Sequence, residues 1–296
     1  MKYTLFLGCT IPEKMNGYEA STRVVASELG VELIDLPDSG CCGSPIIRSI
    51  DEHYYTLLAA RVLATAENMG LDICALCNGC VGSLIHANDA LKKDDTLKEY
   101  VNNVLSDFDL EYKGTIEVKH FLKVLYEDVG LARIKEHLKI PFKDDLKVGA
   151  YYGCHMLRPY EIMHHGDPER PVQMDEIINM IPGISAGDYQ GKISCCGAPV
   201  LSVNPDVAWR LTHRIISTAH AADLRALITI CPFCSLSLDL NQIKVKELWN
   251  LDYEIPVLHL PQLMGLSMGF GVRELGLFEN RVKSAMKFTQ FLLKSE

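Results

Sequence analysis

Ten of the eleven cysteines in this 296-residue chain fall into two copies of one pattern, and this duplication constrains the fold more than any other feature. Each copy contains an isolated cysteine, an adjacent pair and a C-x-x-C motif. The first copy consists of Cys9, Cys41, Cys42, Cys77 and Cys80. The second copy consists of Cys154, Cys195, Cys196, Cys231 and Cys234. In both copies 34 residues separate the adjacent pair from the C-x-x-C, which predicts two related halves with five thiols each.

The relationship between the halves extends beyond the cysteines. A shift of 154 positions superimposes the adjacent pair and the C-x-x-C, and it also places the turn residues Gly43–Pro45 on Gly197–Pro199. The isolated cysteine breaks this offset, because Cys154 lies 145 positions after Cys9. The second half therefore has nine extra residues before its adjacent pair, and we expect them in a loop at 163–170.

Each half also contains a predicted helix after its adjacent pair. Apolar residues at spacings of three and four place one helix near 55–69 and its counterpart near 207–219. Ser49 with Glu52 resembles a capping box at the start of the first helix. Asn204, followed by a proline, is a typical start for the second.

The order of strands and helices indicates the fold class. Short apolar runs predict strands at 3–7, 31–36, 71–76, 148–152 and 226–230. Alternating strands and helices favour an α/β fold with parallel sheets, so we expect two tandem, duplicated Rossmann-like lobes, with a first domain at 1–143 and a second at 144–296. Ligands of such sheets collect beyond the carboxyl ends of the strands, which is where the isolated cysteines and the C-x-x-C motifs fall. The two cysteine-bearing edges are expected to face each other.

Composition narrows the function classes. A net charge of −9 argues against nucleic acid as a partner. Apolar runs fall short of the roughly 18 residues that a spanning helix needs, and the first residues do not form a signal peptide, so we expect a cytoplasmic protein without membrane insertion. Cysteines in that compartment favour metal or redox chemistry. Adjacent Cα atoms are about 3.8 Å apart, below the usual disulfide span of about 4.4 Å or more, so the adjacent pairs are poor disulfides.

Three kinds of metal site are compatible with these cysteines. Structural zinc takes four ligands, fewer than each set offers. Ordinary cubane iron–sulfur clusters also use four cysteines, usually in a run that ends in Cys-Pro. A cluster bound by more than four thiolates is the third possibility, and the five-thiol sets favour it. Cys74 would extend the first C-x-x-C, but Ile228 occupies the matching position, so we interpret Cys74 as a core residue, with a role as a substitute ligand as the alternative.

The two cysteine patterns resemble CCG domains, and their tandem arrangement over essentially the whole chain is similar to the B-subunit family of methanogen heterodisulfide reductases. The resemblance implies two noncubane 4Fe-4S clusters, each held by one of the five-cysteine sets given above. It also implies reduction of the coenzyme M–coenzyme B disulfide. The implied partners are the ferredoxin-like iron–sulfur C subunit and the flavin-bearing A subunit of the same complex, with a hydrogenase or formate dehydrogenase in the larger assembly.

Residues beside the cysteines are candidates for the other roles. The substrate of that family carries acidic groups, so Arg48 and Arg158, close to ligand cysteines, are candidate substrate-binding residues, although each could instead be a solvated loop arginine. His155 directly follows Cys154 and is a candidate proton donor, with hydrogen bonding to a cluster sulfur or helix capping as alternatives. His120 and His259 occupy matching positions and are expected to be structural.

Two other functions remain compatible with the sequence. The chain could be an electron-relay CCG subunit of a lactate, glycolate or glycerol-3-phosphate oxidoreductase, or of a quinone-linked succinate or fumarate reductase. It could also be a zinc-stabilised interaction protein without chemistry. Metal analysis separates the zinc protein from the other two, and turnover of the heterodisulfide separates the reductase from the relay.

Overall fold

The computed structural model describes residues 1–38, 40–143, 145–280, 282 and 284–292. The first lobe contains a sheet of β1 (Lys2–Phe6), β2 (Glu32–Asp35), β3 (Ile73–Ala75) and β4 (Val118–His120). The second lobe contains a sheet of β5 (Leu146–Tyr151), β6 (Ile184–Ala186), β7 (Leu227–Thr229) and β8 (Val257–His259). Both sheets are parallel in every pairing, and their orders, β2-β1-β3-β4 and β6-β5-β7-β8, are equivalent. The predicted α/β fold with two duplicated Rossmann-like lobes is therefore confirmed.

Helices connect the strands in both lobes. Those of the first lobe are α1 (Thr10–Lys14), α2 (Asn16–Glu28), α3 (Ser44–Arg48), α4 (Glu52–Met69), α5 (Asn78–Lys93), α6 (Asp95–Leu105), α7 (Phe121–Lys123) and α8 (Leu131–His137). Those of the second are α9 (Tyr160–Met163), α10 (Gln173–Asn179), α11 (Pro205–Ala221), α12 (Pro232–Ser235), α13 (Gln242–Trp249), α14 (Leu260–Met268) and α15 (Ser284–Phe288). Two π-helical segments, Val124–Val129 and Leu236–Leu240, extend α7 and α12.

The order of the strands places a crevice in each lobe. The chain leaves β1 for β2 on one side and then returns to β3 on the other, so the connections diverge between β1 and β3. Such a switch point opens a crevice at the carboxyl ends of the two strands. Cys9 follows β1 and Cys77 follows β3, while Cys154 and Cys231 follow β5 and β7. The topology thus brings two segments of each cysteine set to one crevice.

The starts of the two long helices differ in how well the sequence predicted them. Asn204 caps α11 as expected, because its side chain accepts a hydrogen bond from the Val207 amide. The predicted capping box of Ser49 and Glu52 is wrong. Asp51 caps α4 by accepting from the Tyr54 amide at 2.9 Å, whereas the Ser49 hydroxyl donates to the Ile46 carbonyl in the preceding turn. A carboxylate closer to the first free amides displaces the serine as the cap.

The sequence predicted a loop in the second half and a boundary between the two lobes. The predicted insertion at 163–170 is a loop that begins at the end of α9 and contains neither strand nor further helix. The predicted domain boundary falls at Asp144, which lies outside the described residues. Just before it, the Phe142 amide donates to the Pro182 carbonyl of the second lobe at 2.8 Å.

The lobes contact each other along the edges that carry the cysteines. Helix α2 of the first lobe packs on α14 of the second. The Tyr18 hydroxyl donates to the Ile230 carbonyl at 2.9 Å, and its ring stacks on that of His259 with centroids 4.0 Å apart. The Asn78 side-chain amide donates to the Tyr152 carbonyl at 2.7 Å. These buried hydrogen bonds fix the two strand edges opposite each other, as the sequence predicted.

Candidate metal centre

One cavity between the lobes is lined by cysteines from both sets. Nine of the ten patterned cysteines border it: Cys9, Cys41, Cys42, Cys80, Cys154, Cys195, Cys196, Cys231 and Cys234. The tenth, Cys77, lies behind this lining, and its Sγ is 4.0 Å from that of Cys231. The sulfurs of two halves that are 154 positions apart in sequence therefore approach each other across the interface.

The two sets have the same gradient of exposure. The second cysteine of each adjacent pair and both members of each C-x-x-C are buried. The isolated cysteine and the first member of the pair are more accessible, and Cys9 is the most exposed of them. Each set therefore has three buried sulfurs and two more accessible ones.

Local structure explains why these thiols converge. Cys77 and Cys231 are the residues just before α5 and α12, so their sulfurs and the next ones in each motif lie at helix N-termini, where the peptide dipoles favour thiolates. Cys42 lies on the turn before α3, and its Sγ is 3.4 Å from that of Cys80. In the matching turn the Gly197 amide donates to Cys195 Sγ at 3.4 Å.

A matched pair of glycines makes room for the buried sulfurs. Gly8 and Gly153 immediately precede the isolated cysteines, with φ of +65° and +70°. A Cβ at Gly8 would lie 2.9 Å from Cys80 Sγ, and one at Gly153 would lie 3.1 Å from Cys234 Sγ. Because real Cβ atoms rarely come so close to another heavy atom, a larger residue would displace a sulfur in either set.

Hydrogen bonds between thiols favour the anionic form at selected positions. The hydrogen bond from Cys41, reinforced by Cys80, lowers the pKa of Cys42 to about 3. A hydrogen bond from Cys154 lowers the pKa of Cys195 to about 6. Burial opposes ionisation of Cys231, but hydrogen bonds from its neighbouring thiols outweigh it and lower its pKa. Each set thus contains at least one sulfur that is ready to bind a metal as a thiolate.

The arrangement of sulfurs fits a multi-iron cluster better than a single ion. The ten thiols surround or lie close behind one cavity, with glycines against the innermost sulfurs. An all-cysteine donor set that is spread around a space suits iron–sulfur clusters, in which several irons share the ligands.

Cys74 is separate from this arrangement. It lies within β3, pairs with Leu5 and Lys119 of the neighbouring strands, and is completely buried in the apolar core. Burial raises the pKa of its thiol. Its counterpart Ile228 occupies the same position in β7, so the interpretation of Cys74 as a core residue is confirmed.

The two matched histidines begin helices in the core. His120 is 1% exposed, and its Nδ1 accepts a hydrogen bond from the Leu122 amide at the start of α7. Its Nε2 contacts the Ile230 carbonyl at 3.0 Å. His259 is buried just before α14, and its backbone amide donates to Gln262 Oε1 at 2.9 Å. The predicted structural role fits both positions.

A second cavity adjoins the first and brings together the candidate substrate residues. It has a volume of about 290 Å³ and is lined by Arg48, His86, His155 and Arg158, among others. His155 lines both cavities, and its Nδ1 is 3.8 Å from Cys154 Sγ. The structure therefore groups all three candidates, Arg48, Arg158 and His155, around one space. His86 also lines this cavity. No sequence motif surrounds it, and only the packing of α5 beside α3 brings it close to Arg48.

Comparisons with known proteins agree with this architecture. The family model for the CCG cysteine-rich domain matches residues 3–85 and 148–239. The chain is 37% identical to the B subunit of the ferredoxin/F420H2-dependent CoB-CoM heterodisulfide reductase of Methanosarcina acetivorans, over 96% of this chain and 94% of that one. It is 30% identical to the 8-methylmenaquinol:fumarate reductase membrane anchor subunit of Wolinella succinogenes, over 94% of this chain and 96% of that one.

One solved structure resembles this chain over nearly its whole length. The crystal structure of a hypothetical protein from Helicobacter pylori matches 95% of this chain and 51% of that chain, with a TM-score of 0.74 and 19% identity, which supports the fold. Within the described ranges, no helix is both long and apolar enough to cross a bilayer. The chain belongs to the CCG family of cysteine-rich domains, of which it carries two copies, and within it to the B-subunit family of heterodisulfide reductases.

Proposed function

We propose that this protein is the catalytic subunit of a heterodisulfide reductase, which reduces the coenzyme M–coenzyme B disulfide to two thiols in the cavity between two noncubane 4Fe-4S clusters. The first cluster would be held by Cys9, Cys41, Cys42, Cys77 and Cys80. The second would be held by Cys154, Cys195, Cys196, Cys231 and Cys234. The observation that carries the proposal is the single cavity with cysteines of both sets in its wall.

The stoichiometry of disulfide reduction explains why two equivalent sets face one space. Cleavage of one disulfide bond to two thiols consumes two electrons and two protons. When bound, the two clusters would supply one electron each and Lewis-acidic iron for the two sulfurs. The chain itself holds the sets opposite each other, through the hydrogen bonds of Tyr18 and Asn78 across the interface and the 4.0 Å approach of Cys77 and Cys231. The two sets can then face the two halves of one disulfide.

The remaining candidates supply protons and binding. His155 lines the cavity beside Cys154, from where its ring can donate a proton to a departing thiolate. Arg48 and Arg158 lie in the adjoining cavity, within reach of an acidic group on a disulfide bound at the cysteines. These roles belong to the same proposal.

Electrons have to reach the chain from other proteins. The sequence contains neither a Walker loop nor a G-x-G-x-x-G fingerprint. We therefore assign the flavin to the A subunit of such a complex and the ferredoxin-like clusters to its C subunit, with a hydrogenase or formate dehydrogenase as the source of electrons. The cytoplasmic location stays a prediction.

The proposal is tested by turnover with an artificial donor. Anaerobically purified, iron-loaded protein should oxidise reduced benzyl viologen when the heterodisulfide is added. Cys231→Ala should abolish turnover, whereas Cys74→Ala, a cysteine outside both sets, should keep it. Absence of turnover in the iron-loaded wild-type protein, or full turnover in Cys231→Ala, would contradict the proposal.

A second function is supported by one of the relatives. The Wolinella succinogenes protein is named as part of a quinol:fumarate reductase, and it matches this chain almost from end to end. In an electron-relay role the clusters would be reduced and reoxidised without binding a disulfide. The relay predicts that the heterodisulfide leaves the electron paramagnetic resonance spectrum of the oxidised protein unchanged, whereas the reductase predicts a new signal.

A further inference from the structure

The second lobe lacks one helix of the first. Cys80 and His120 are 40 residues apart, whereas their counterparts Cys234 and His259 are 25 apart, which is a difference of 15. In the first lobe this stretch contains α5 and α6 before β4. In the second lobe α12 and α13 take the place of α5, and a loop then leads directly to β8. Residues 232–257 are all described, and they contain no counterpart of α6.

In the first lobe, α6 and the loop after it cover one stripe of α4. Near the start of α4, the His53 ring meets the Tyr100 ring of α6 edge-on, with centroids 5.9 Å apart. Near its end, Glu67 accepts hydrogen bonds from the Lys113 and Thr115 amides at 2.6 Å each. Residues between these two points at spacings of three and four lie on the same side of the helix. They are buried and small: Thr56, Ala60 and Ala64.

The matched turns before the two long helices identify the corresponding stripe of α11. A Cβ at Gly43 would meet Tyr55 of α4, and a Cβ at Gly197 would meet Ala208 of α11. The two helices therefore correspond at an offset of 153 positions. At this offset the buried stripe of α4 is matched by larger or more polar residues that are all partly exposed: Trp209, His213 and Ser217.

A layer one side chain thick takes the place of α6 in the second lobe. The Trp249 ring at the end of α13 stacks on His213, with centroids 4.5 Å apart. The Tyr253 ring in the following loop stacks on His220, with centroids 3.6 Å apart. These rings and Trp209 all keep some exposure to solvent. We call the surface of Trp209, His213, His220, Trp249 and Tyr253 the aromatic face.

Two arginines of α11 flank the aromatic face. Arg210 and Arg214 are exposed, and within the described ranges neither has an ion-pair partner. The lysines of α13 are already paired with glutamates of the same lobe. One aspartate, Asp206, lies a turn before Arg210. In a chain with a net charge of −9, this surface therefore presents positive charge that its own carboxylates do not balance.

The chemistry of the aromatic face is that of a protein interface. Tryptophan, tyrosine and arginine are enriched at such interfaces because they bury a large area and keep a polar end for hydrogen bonds. The first lobe shows what shape of partner fits beside the long helix, since α6 packs there through Leu97, Val101 and Leu105. These three residues are spaced by four, which is the pattern of one apolar stripe on a helix.

We propose that the aromatic face binds an amphipathic helix of a partner protein, which takes the place that α6 occupies in the first lobe. The apolar stripe of this helix packs on the rings, and carboxylates beside the stripe pair with Arg210 and Arg214. The inference rests on the proposed function for the identity of the partner, which is the ferredoxin-like C subunit or the flavin-bearing A subunit of the same complex. It makes the two lobes unequal, with one partner helix docked on the second.

The two tryptophans make this face directly observable. The chain has only two, and both belong to the aromatic face. Full-length, iron-loaded protein labelled with 5-fluorotryptophan gives one fluorine resonance for each ring, and the variants Trp209→Phe and Trp249→Phe assign them. Unlabelled C subunit and unlabelled A subunit are then titrated in separately. We expect one of the two subunits to shift both resonances.

Charge reversal tests the role of the arginines. Arg210→Glu and Arg214→Glu should each raise the Kd for that subunit about tenfold, through the loss of one charge-assisted contact. Arg133→Glu reverses an exposed arginine on α8 of the first lobe and should bind like the wild type. All three substitutions are at exposed positions, so iron content and circular dichroism should match those of the wild-type protein.

The outcomes separate the docking surface from the proposed reaction. Binding that leaves both fluorine resonances unchanged, or that is equally tight in the two reversed variants, would overturn the docking surface. Failure of both subunits to bind would also overturn it. Shifts that follow the concentration of the chain alone would overturn it too, because the face would then join two copies of the chain. Turnover with reduced benzyl viologen needs no partner subunit, so the reaction stands or falls independently of these results.

Discussion

Replacement of Gly8 by alanine tests whether the cysteine sets depend on the close packing around their innermost sulfurs. Gly8 has φ of +65°, and a Cβ there would lie 2.9 Å from Cys80 Sγ. The left-handed backbone costs an alanine about 1–2 kcal/mol. Displacement of the sulfur adds about 1–3 kcal/mol, the usual cost of overpacking. We expect a total loss of about 2–5 kcal/mol in the free energy of unfolding and loss of iron from the first set.

Gly70 provides the matched control. It ends α4 with φ of +67°, and a Cβ built on it would have nothing within 4 Å. Gly70→Ala therefore has the same backbone strain, about 1–2 kcal/mol, without contact with a sulfur. It should keep all of its iron.

The assay combines iron analysis with urea unfolding of the anaerobically loaded proteins. Gly8→Ala should contain about half the iron of the wild-type protein, because the second set is intact, and Gly153→Ala should lose the other half. Full iron content in Gly8→Ala, with a loss of unfolding free energy no greater than that of Gly70→Ala, would refute the reasoning.

Three further predictions concern stability and the residues outside the cysteine sets. Cys74→Ser buries a hydroxyl in β3 and should lower the free energy of unfolding by about 1–3 kcal/mol without loss of iron; iron loss would make Cys74 a ligand. Burial lowers the pKa of His165 to about 3, whereas the unfolded side chain titrates near 6.5. The neutral imidazole therefore makes its full contribution to the free energy of unfolding above about pH 6.5, and this contribution is lost as the pH falls. From pH 7 to pH 5 we expect it to account for about 2 kcal/mol of lost stability in urea unfolding, and an unchanged pH dependence in His165→Gln would contradict this. Asp51→Ala should lower the free energy of unfolding by about 1 kcal/mol in the same measurement, and Ser49→Ala should lower it much less. A larger loss in Ser49→Ala than in Asp51→Ala would support the capping box of Ser49 and Glu52 instead.

Local sequence patterns predicted the elements of the fold and the grouping of the cysteines because both depend on short-range periodicity and spacing; that these cysteines are ligands stays a prediction. Strands and helices alternate visibly, and the repeated spacing by itself identified equivalent thiols in the two halves. The position of Cys9 and Cys77 at the carboxyl ends of their strands follows from the parallel α/β class, whereas the strand order that brings them to one crevice came from the structure. Cys74 was assigned correctly because the duplication supplied Ile228 as a comparison.

Contacts between elements that are distant in sequence were not predictable in the same way. His86 is 38 residues from Arg48, and no motif connects them. The hydrogen bond of Asn78 to the Tyr152 carbonyl depends on the packing of two lobes. Capping by Asp51 rather than Ser49 depends on where the first turn of α4 begins, a shift of two residues that propensity does not resolve. The structure was needed wherever a role depends on the relative position of two elements.

The most direct test of the account is the iron and acid-labile sulfide content of the wild-type protein and of the matched variants Cys42→Ala and Cys196→Ala, measured together with heterodisulfide turnover. Two four-iron clusters predict about eight irons in the wild-type chain and about half in each variant, with turnover lost in both variants because each set serves one half of the disulfide. A chain that holds zinc, a wild-type protein with only one cluster, or a variant with half the iron and full turnover would contradict it.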